Sequence, residues 1–320
     1  MKKLMFVALC LMVVLSGTVF ARGGAQSGGD GKMYIAMVSK GFQHQFWQYV
    51  KQGADQAAAE FGVTITFEGP ESESMIDKQM EMFQTAMGKN PAAICFGALD
   101  AQADAPLVAE AKRRGIPVVT FDATVASDDP VSFVATDSRA AAAAAADKMG
   151  EALGGQGKVA IICHDQTNTT GIFRRDGFID RIKEKYPGIQ LLEVQYGGGD
   201  PLRSTEIVKA VINANPDLKG YYATNEGSAI GLANAITELN MKGKIVGIGF
   251  DSGKVQLDAV RSGVLYGAIQ QNPVLIGYKA VEMAYRAVKG ETVPKIIDSG
   301  YVWADQRNLD SKEVQAVIYQ

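Results

Sequence analysis

Two aspartates stand where apolar runs stop: Asp122 after Ile-Pro-Val-Val-Thr-Phe, and Asp251 after Val-Gly-Ile-Gly-Phe. A carboxylate at the end of a buried strand either caps the next helix or faces a ligand crevice, because open α/β sheets gather ligands outside the carboxyl ends of their strands. Ser39 ends the run Met-Tyr-Ile-Ala-Met-Val in the same manner, and Asn225 with Glu226 follows Tyr-Tyr-Ala-Thr. Arg174 and Arg175 lie on a helix opened by Thr169-Thr170-Gly171, where a surface arginine is ordinarily solvated. Phe46 and Trp47 adjoin at a helix start, so they point to different sides and are not expected to fill the core together. One reads as a platform for the apolar face of a ring and the other as packing. Phe42 and Phe250 read as core or hinge packing.

The same inventory excludes several chemistries. The histidines are His44 and His164 alone, with no ligand spacing between them, so no metal is expected. Gly197-Gly-Gly199 and Gly247-Ile-Gly249 complete neither a dinucleotide nor a Walker pattern, and Ser39 sits in no nucleophile elbow. No cofactor is expected. The chain offers a polar pocket without an assembled nucleophile. The enzymatic alternative is a glycoside-acting pair made of Asp122 and Asp251, whose separation no spacing fixes.

These residues need strands to carry them, and strands alternate with helices throughout. Met33 to Val38 reads as a strand, and the following helix aligns Phe46, Val50, Ala54, Ala57 and Phe61. Val63 to Phe67, Ala92 to Phe96, Pro117 to Phe121 and Val131 to Thr136 are further extended runs. The continuous apolar ones suit parallel strands covered on both faces. Ala140 to Ala146 reads as a helix whose small side chains admit a close neighbour. A second series follows, with strands at Lys158 to Cys163, Ile189 to Tyr196, Gly220 to Thr224 and Lys244 to Phe250. Val264 to Gln320 reads as one strand, a helix from Leu275 to Lys289 and an extended stretch near Tyr301. That is too little for a third domain, so the chain is expected to return to both earlier ones.

Lys2-Lys3, the apolar run Leu4 to Leu15 and Val19-Phe20-Ala21 form an export signal at residues 1–21, cleaved after Ala21. The apolar run is too short for a membrane anchor, which needs about 20 residues. Cys10 lies inside that run rather than at its end, against lipid anchoring. Residues 22–31 read as a flexible leader. The formal charge of −3 becomes −5 once Lys2 and Lys3 are removed, leaving 30 Lys and Arg against 35 Asp and Glu. No basic stripe invites nucleic acid or anionic membrane. Cys95 and Cys163 end apolar strands and are expected as separate buried thiols.

The segments Ile-Ala-Met-Val-Ser39, Ile-Pro-Val-Val-Thr-Phe-Asp122, Arg174-Arg-Asp-Gly-Phe178, Tyr-Ala-Thr-Asn225-Glu, Val-Gly-Ile-Gly-Phe-Asp251 and Gln270-Gln-Asn-Pro273 resemble the ribose-type periplasmic sugar-binding proteins of ABC importers, the type I periplasmic binding proteins. The resemblance covers nearly all of the chain after the leader. It implies two doubly wound parallel-sheet α/β domains joined by a multi-strand hinge. The expected lobes are 32–136 plus about 272–298, and 137–271 plus about 299–320. It implies Asp122 and Asp251 as acceptors for sugar hydroxyls, Arg174 as a donor, Asn225 and Gln271 as further hydroxyl partners, and Phe46 and Trp47 as an aromatic sandwich. Ser39 and Asp100 would occupy lesser pocket positions, and Lys40 and His44 would add cationic or switchable groups near the first loop.

Departures from the family pattern are Ala123 in place of an arginine, Gly97 in place of an amide, and Gly198 or Gly199 in place of an aromatic, suggesting a pocket wider on one side. The implied function is that of a periplasmic monomer, not an enzyme, capturing a monosaccharide or polyol for an ABC permease. A chemoreceptor is a further partner the resemblance admits, and sensing without transport is the alternative. A sugar-responsive transcription regulator shares the architecture but needs a DNA-binding segment where the export signal stands.

Overall fold

The computed structural model describes residues 31–319; the export signal and nearly all of the leader lie outside them. Strands β1 (Tyr34–Val38), β2 (Thr64–Glu68), β3 (Ala93–Phe96), β4 (Val118–Phe121) and β5 (Ser132–Ala135) alternate with helices α1 (Gln45–Phe61), α2 (Ile76–Gly88) and α3 (Ala105–Arg113). Helix α4 (Ser138–Leu153) opens a second series: β6 (Gln156–Cys163), α5 (Thr169–Lys185), β7 (Gly188–Leu191), β8 (Gln195–Tyr196), α6 (Pro201–Ala214), β9 (Leu218–Ala223), α7 (Glu226–Glu238), β10 (Val246–Phe250), α8 (Lys254–Ser262) and β11 (Gly267–Gln271). Helix α9 (Pro273–Val288), strands β12 (Ile296–Asp298) and β13 (Tyr301–Ala304) and helix α10 (Lys312–Gln315) complete the described chain.

The strands form two sheets. The first has the order β12-β5-β4-β3-β1-β2 and is parallel throughout. The second runs β13-β11-β10-β9-β6-β7, with β8 also on β6 and only β13 antiparallel. The strand order reverses beside β1 in the first sheet and beside β6 in the second, and such reversals open crevices at carboxyl strand ends.

The chain passes between the sheets three times: after β5, after β11, and between β12 and β13. Polar side chains tie the crossings together. Thr136 Oγ1 lies 3.0 Å from Ser299 Oγ, and Asp298 Oδ1 accepts from the backbone N–H groups of Asp137 and Gly300.

Apolar periodicity explains the packing. In α1, Phe46, Val50, Ala54 and Ala57 are buried while Phe61 is half-buried, and α1 packs beside α9 in one core with the first sheet. Gly53 and Gly277 let those two helices touch: a Cβ on either would run into the partner helix's backbone, at the carbonyls of Val274 and Val50. The alanine-rich α4 buries Ala141, Ala142, Ala145 and Ala146 with Phe178 and Ile182 of α5. Cys95 and Cys163 are free, buried and in different sheets.

Two segments differ from the sequence reading. Ile189 to Tyr196 is not one strand; β7 pairs with the start of β6 and β8 with its end, and the residues between leave the ladder. The segment after Val264 holds three strands: the extended stretch near Tyr301 is β13, and the unread one is β12, an edge strand of three residues, too short for its alternation to show.

Candidate ligand-binding cleft

The carboxyl ends of the two sheets face each other across a cleft lined by Lys40, His44, Phe46, Trp47, Glu73, Asp122, His164, Arg174, Asn225, Asp251 and Gln271. The lobes are shut. Free space between these side chains is about 20 Å³, room for one or two waters. Backbone of α1 meets the second lobe directly: Gln45 N and Phe46 N donate to the Glu226 carboxylate at 3.1 and 3.2 Å. Lys254 N donates to Gln45 Oε1 at 2.9 Å, and Thr124 N to Thr169 Oγ1 at 3.0 Å.

Asp122 and Asp251 hold equivalent places. Each follows its strand in the left-handed region, at φ 60° and 82°, which Asp tolerates better than most residues. Each donates its N–H to the neighbouring strand, at Val134 O and Ile269 O. Neither caps a helix, because the backbone turn aims both carboxylates into the cleft. Asp251 accepts from Glu226 N at 2.9 Å and from the Gln271 amide, and its main-chain oxygen accepts from Gln256. Burial pushes its pKa up, against the pull of Arg174. Arg174 lies flat on Phe250, 3.8 Å from the ring centre, and donates to Thr224 O at 2.9 Å, with Nη1 3.9 Å from Asp251 Oδ2.

Asn225 does both jobs weighed for it. Its Oδ1 caps α7 by accepting from Ser228 N at 2.9 Å, while the residue also lines the cleft. Phe46 and Trp47 are both buried core residues, contrary to the expectation that only one would be. An edge-to-face contact, 5.0 Å between ring centres at 88°, lets adjacent rings pack together and still border the cleft. His44 precedes α1, with Nε2 3.0 Å from Gln43 Nε2 and 3.9 Å from Glu73 Oε1.

Two proposed positions fall elsewhere. Asp100 is a turn residue whose Oδ1 accepts from Gln102 N and Ala103 N, and it borders a surface groove instead. Ser39 is buried behind the cleft, its hydroxyl directed at the carbonyls of Gly41 and Glu68.

Of four further lining or latching groups, sequence reasoning placed Lys40 only as an added cation near the first loop, weighed Glu226 alongside Asn225, and missed Glu73 and His164. Lys40 Nζ lies 3.0 Å from Asp122 Oδ2 and donates to Thr170 Oγ1 of the other lobe at 3.2 Å. It restores the positive charge that Ala123 removes. Burial works against the Lys40 charge, but Asp122 and then Glu73 outweigh it and raise its pKa. Glu73 accepts from Trp47 Nε1 at 2.8 Å; burial opposes its charge too, yet Lys40 and His44 hold its pKa below the usual range.

His164 is pinned between Thr224 Oγ1 at 2.7 Å and Thr170 Oγ1 at 3.1 Å. Thr170 gives its own proton to Asn168 Oδ1, so Nε2–H donates to Thr170, and in the neutral ring Nδ1 accepts from the Thr224 hydroxyl, whose oxygen also accepts from His164 N–H. That neutral tautomer agrees with a pKa driven well below the usual value by burial and by Lys40 and Arg174. The fourth group is Glu226, whose pKa burial raises. The rule that found Asp122 would have found His164, which directly follows β6.

The departures from the family pattern have local explanations. Gly199 lies against Gln43, whose Nε2 donates to its carbonyl at 3.4 Å, and against the N-terminus of α7, where Gly227 leaves its carbonyl room. Beside Gly97, the amide comes from Gln79, which donates to Gly97 O at 2.7 Å and to Ser39 O at 2.8 Å.

A model of the periplasmic binding protein domain matches residues 35–292. The chain belongs to that family. Among periplasmic binding proteins, it is 29% identical over 280 residues to the D-allose-binding periplasmic protein of Escherichia coli, covering 82% of this chain and 90% of the relative. It is 27% identical over 293 residues to the ribose import binding protein of Salmonella typhimurium, covering 92% and 95%. Its fold matches an ABC transporter solute-binding protein from Agrobacterium vitis with bound D-fucose at a TM-score of 0.87 and 34% identity, over 89% of this chain and all of that one. A carbohydrate transporter solute-binding protein from Agrobacterium radiobacter in complex with D-arabinose matches at 0.87 and 29%, over 90% and 99%.

Proposed function

We propose that this chain is the exported binding component of a sugar importer, taking a monosaccharide or related polyol between its lobes and presenting the closed form to an ABC permease. The observation that carries this reading is the convergence of Asp122, Arg174, Asn225, Asp251 and Gln271 with two aromatic rings on one interlobe gap. Carboxylates, amides and guanidinium fix hydroxyl directions, and rings accept the C–H face of a sugar. A ligand that both lobes contact only when shut favours the shut state by that differential affinity.

In the closed form the Lys40 ammonium occupies the centre of the gap. An incoming sugar takes over its bonds to Asp122 and Thr170. The chain works as a periplasmic monomer, freed of its export signal after Ala21 and without a lipid anchor. It releases its ligand unaltered; a chemoreceptor would read the same closed surface.

Thermal melting against D-allose, D-ribose, D-fucose, D-arabinose, hexoses and polyols tests the reading, since any ligand of the folded form raises Tm. At least one sugar is expected to do so and to be recovered intact after denaturation. A flat panel, or a chemically changed ligand, overturns it.

A further inference from the structure

A second cavity of about 260 Å³ lies beside the hinge, between β5 and β12 of the first lobe and the start of α5 in the second. Its walls are apolar where they carry bulk: Phe133, Ala135, Phe173 and Ile296. Arg139 covers one side of the Phe173 ring at 5.8 Å, and Ile296, 72% exposed, stands at the mouth. The carboxylates of the hinge are engaged elsewhere. Asp137 Oδ1 accepts from Ala140 N, and Asp298 Oδ1 from Asp137 N and Gly300 N.

Asp122, 4% exposed, borders both this cavity and the cleft. One polar layer separates the two spaces: the Lys40 ammonium, with Asp122 Oδ2 at 3.0 Å on one side and Thr170 Oγ1 at 3.2 Å on the other. Lys40 ends in a flexible chain, and a sugar oxygen arriving at Asp122 displaces it. A substituent on that oxygen then points into the hinge-side space, whose walls match alkyl or aryl groups rather than more hydroxyls.

Building on the sugar reading of the cleft, we propose that the hinge-side cavity is an aglycone subsite, and that the protein takes sugars carrying an apolar alkyl or aryl group as well as free sugars. Calorimetric titration of the full chain with D-fucose, D-arabinose and D-ribose, each as free sugar, methyl glycoside and n-butyl glycoside in both anomeric forms, tests it. For the sugar that binds, the n-butyl glycoside is expected to bind at least tenfold more tightly than the methyl glycoside. Ile296→Asp and Phe173→Ala are expected to bring that ratio below threefold while changing the Kd of the free sugar less than twofold.

Equal or weaker binding of the n-butyl glycoside, with the free sugar still bound, overturns the subsite and leaves the sugar reading standing. A butyl advantage that survives both substitutions overturns the assignment to this cavity. Binding of neither sugars nor glycosides overturns both.

Discussion

The two rims of the cleft solve the same problem with different materials. In the second lobe, Asp251 is held by a backbone N–H, a Gln271 amide and an arginine lying on Phe250, all rigid partners. In the first lobe, Asp122 leans on one lysine, which also serves Glu73 at 3.9 Å and reaches across the gap to Thr170. A carboxylate fixed by planar and backbone donors is pre-organised for ligand, whereas one neutralised by a flexible ammonium waits for that group to move. The second rim is therefore the template and the first is the adaptable side.

Removing the shared lysine tests this contrast most severely. Lys40→Met leaves Asp122 and Glu73 buried with no nearby ammonium, and it is expected to cost the closed form about 3–5 kcal/mol. Small-angle scattering of the unliganded variant would read this as an opened molecule; a profile unchanged from the parent would break the contrast. Asp251→Ala is expected to weaken sugar binding by about 2–3 kcal/mol, because Gln271 and Glu226 N lose their acceptor and Arg174 its neighbouring carboxylate. Titration of the same sugar against parent and variant measures it.

His164 gives the contrast a pH axis. Its pKa is lowered on folding, so the unfolded chain binds the proton more readily and stability falls as pH drops below the ordinary value of 6.5. Between pH 7 and pH 5 the loss is expected to reach at most about 2 kcal/mol. His164→Gln should remove it, as urea midpoints at the two pH values would show. Glu226 and Asp251 act with the opposite sign: their raised pKa values favour folding at low pH and weaken it as pH climbs through them. The slope lost in His164→Gln is thus read against theirs. The smallest effect is expected from Glu226→Gln, which keeps one acceptor oxygen where Gln45 N and Phe46 N each had their own, and removes the charge. Closure should weaken by about 1 kcal/mol, visible as a modest rise in the scattering radius without ligand.

Legibility followed chain geometry. Residues that end long buried strands, such as Asp122 and Asp251, announced themselves because the apolar run stops abruptly at a polar group. Arg174, Asn225 and Gln271 were ambiguous alone and became site candidates through the family resemblance, since nothing in a helical arginine or a strand-end amide says which way it points. Lys40 and Glu73 sit in irregular loops, where no periodicity assigns a direction, and their burial follows from a contact between segments about 30 residues apart. Phe46 and Trp47 misled for a related reason: helical spacing gives the direction of a ring but not the edge-to-face contact that buries both. The short edge strand β12 escaped because three residues cannot display alternation.

The triple passage of the chain between sheets also bears on the order in which the molecule can be made. The first lobe lacks α9 until residue 288 has been synthesised, and its edge strand β12 until residue 298. Neither half can seal its core while the polypeptide is still emerging from the ribosome. A chain whose α9, β12 and β13 all lie in its last sixth can complete neither sheet until nearly all of it has been made.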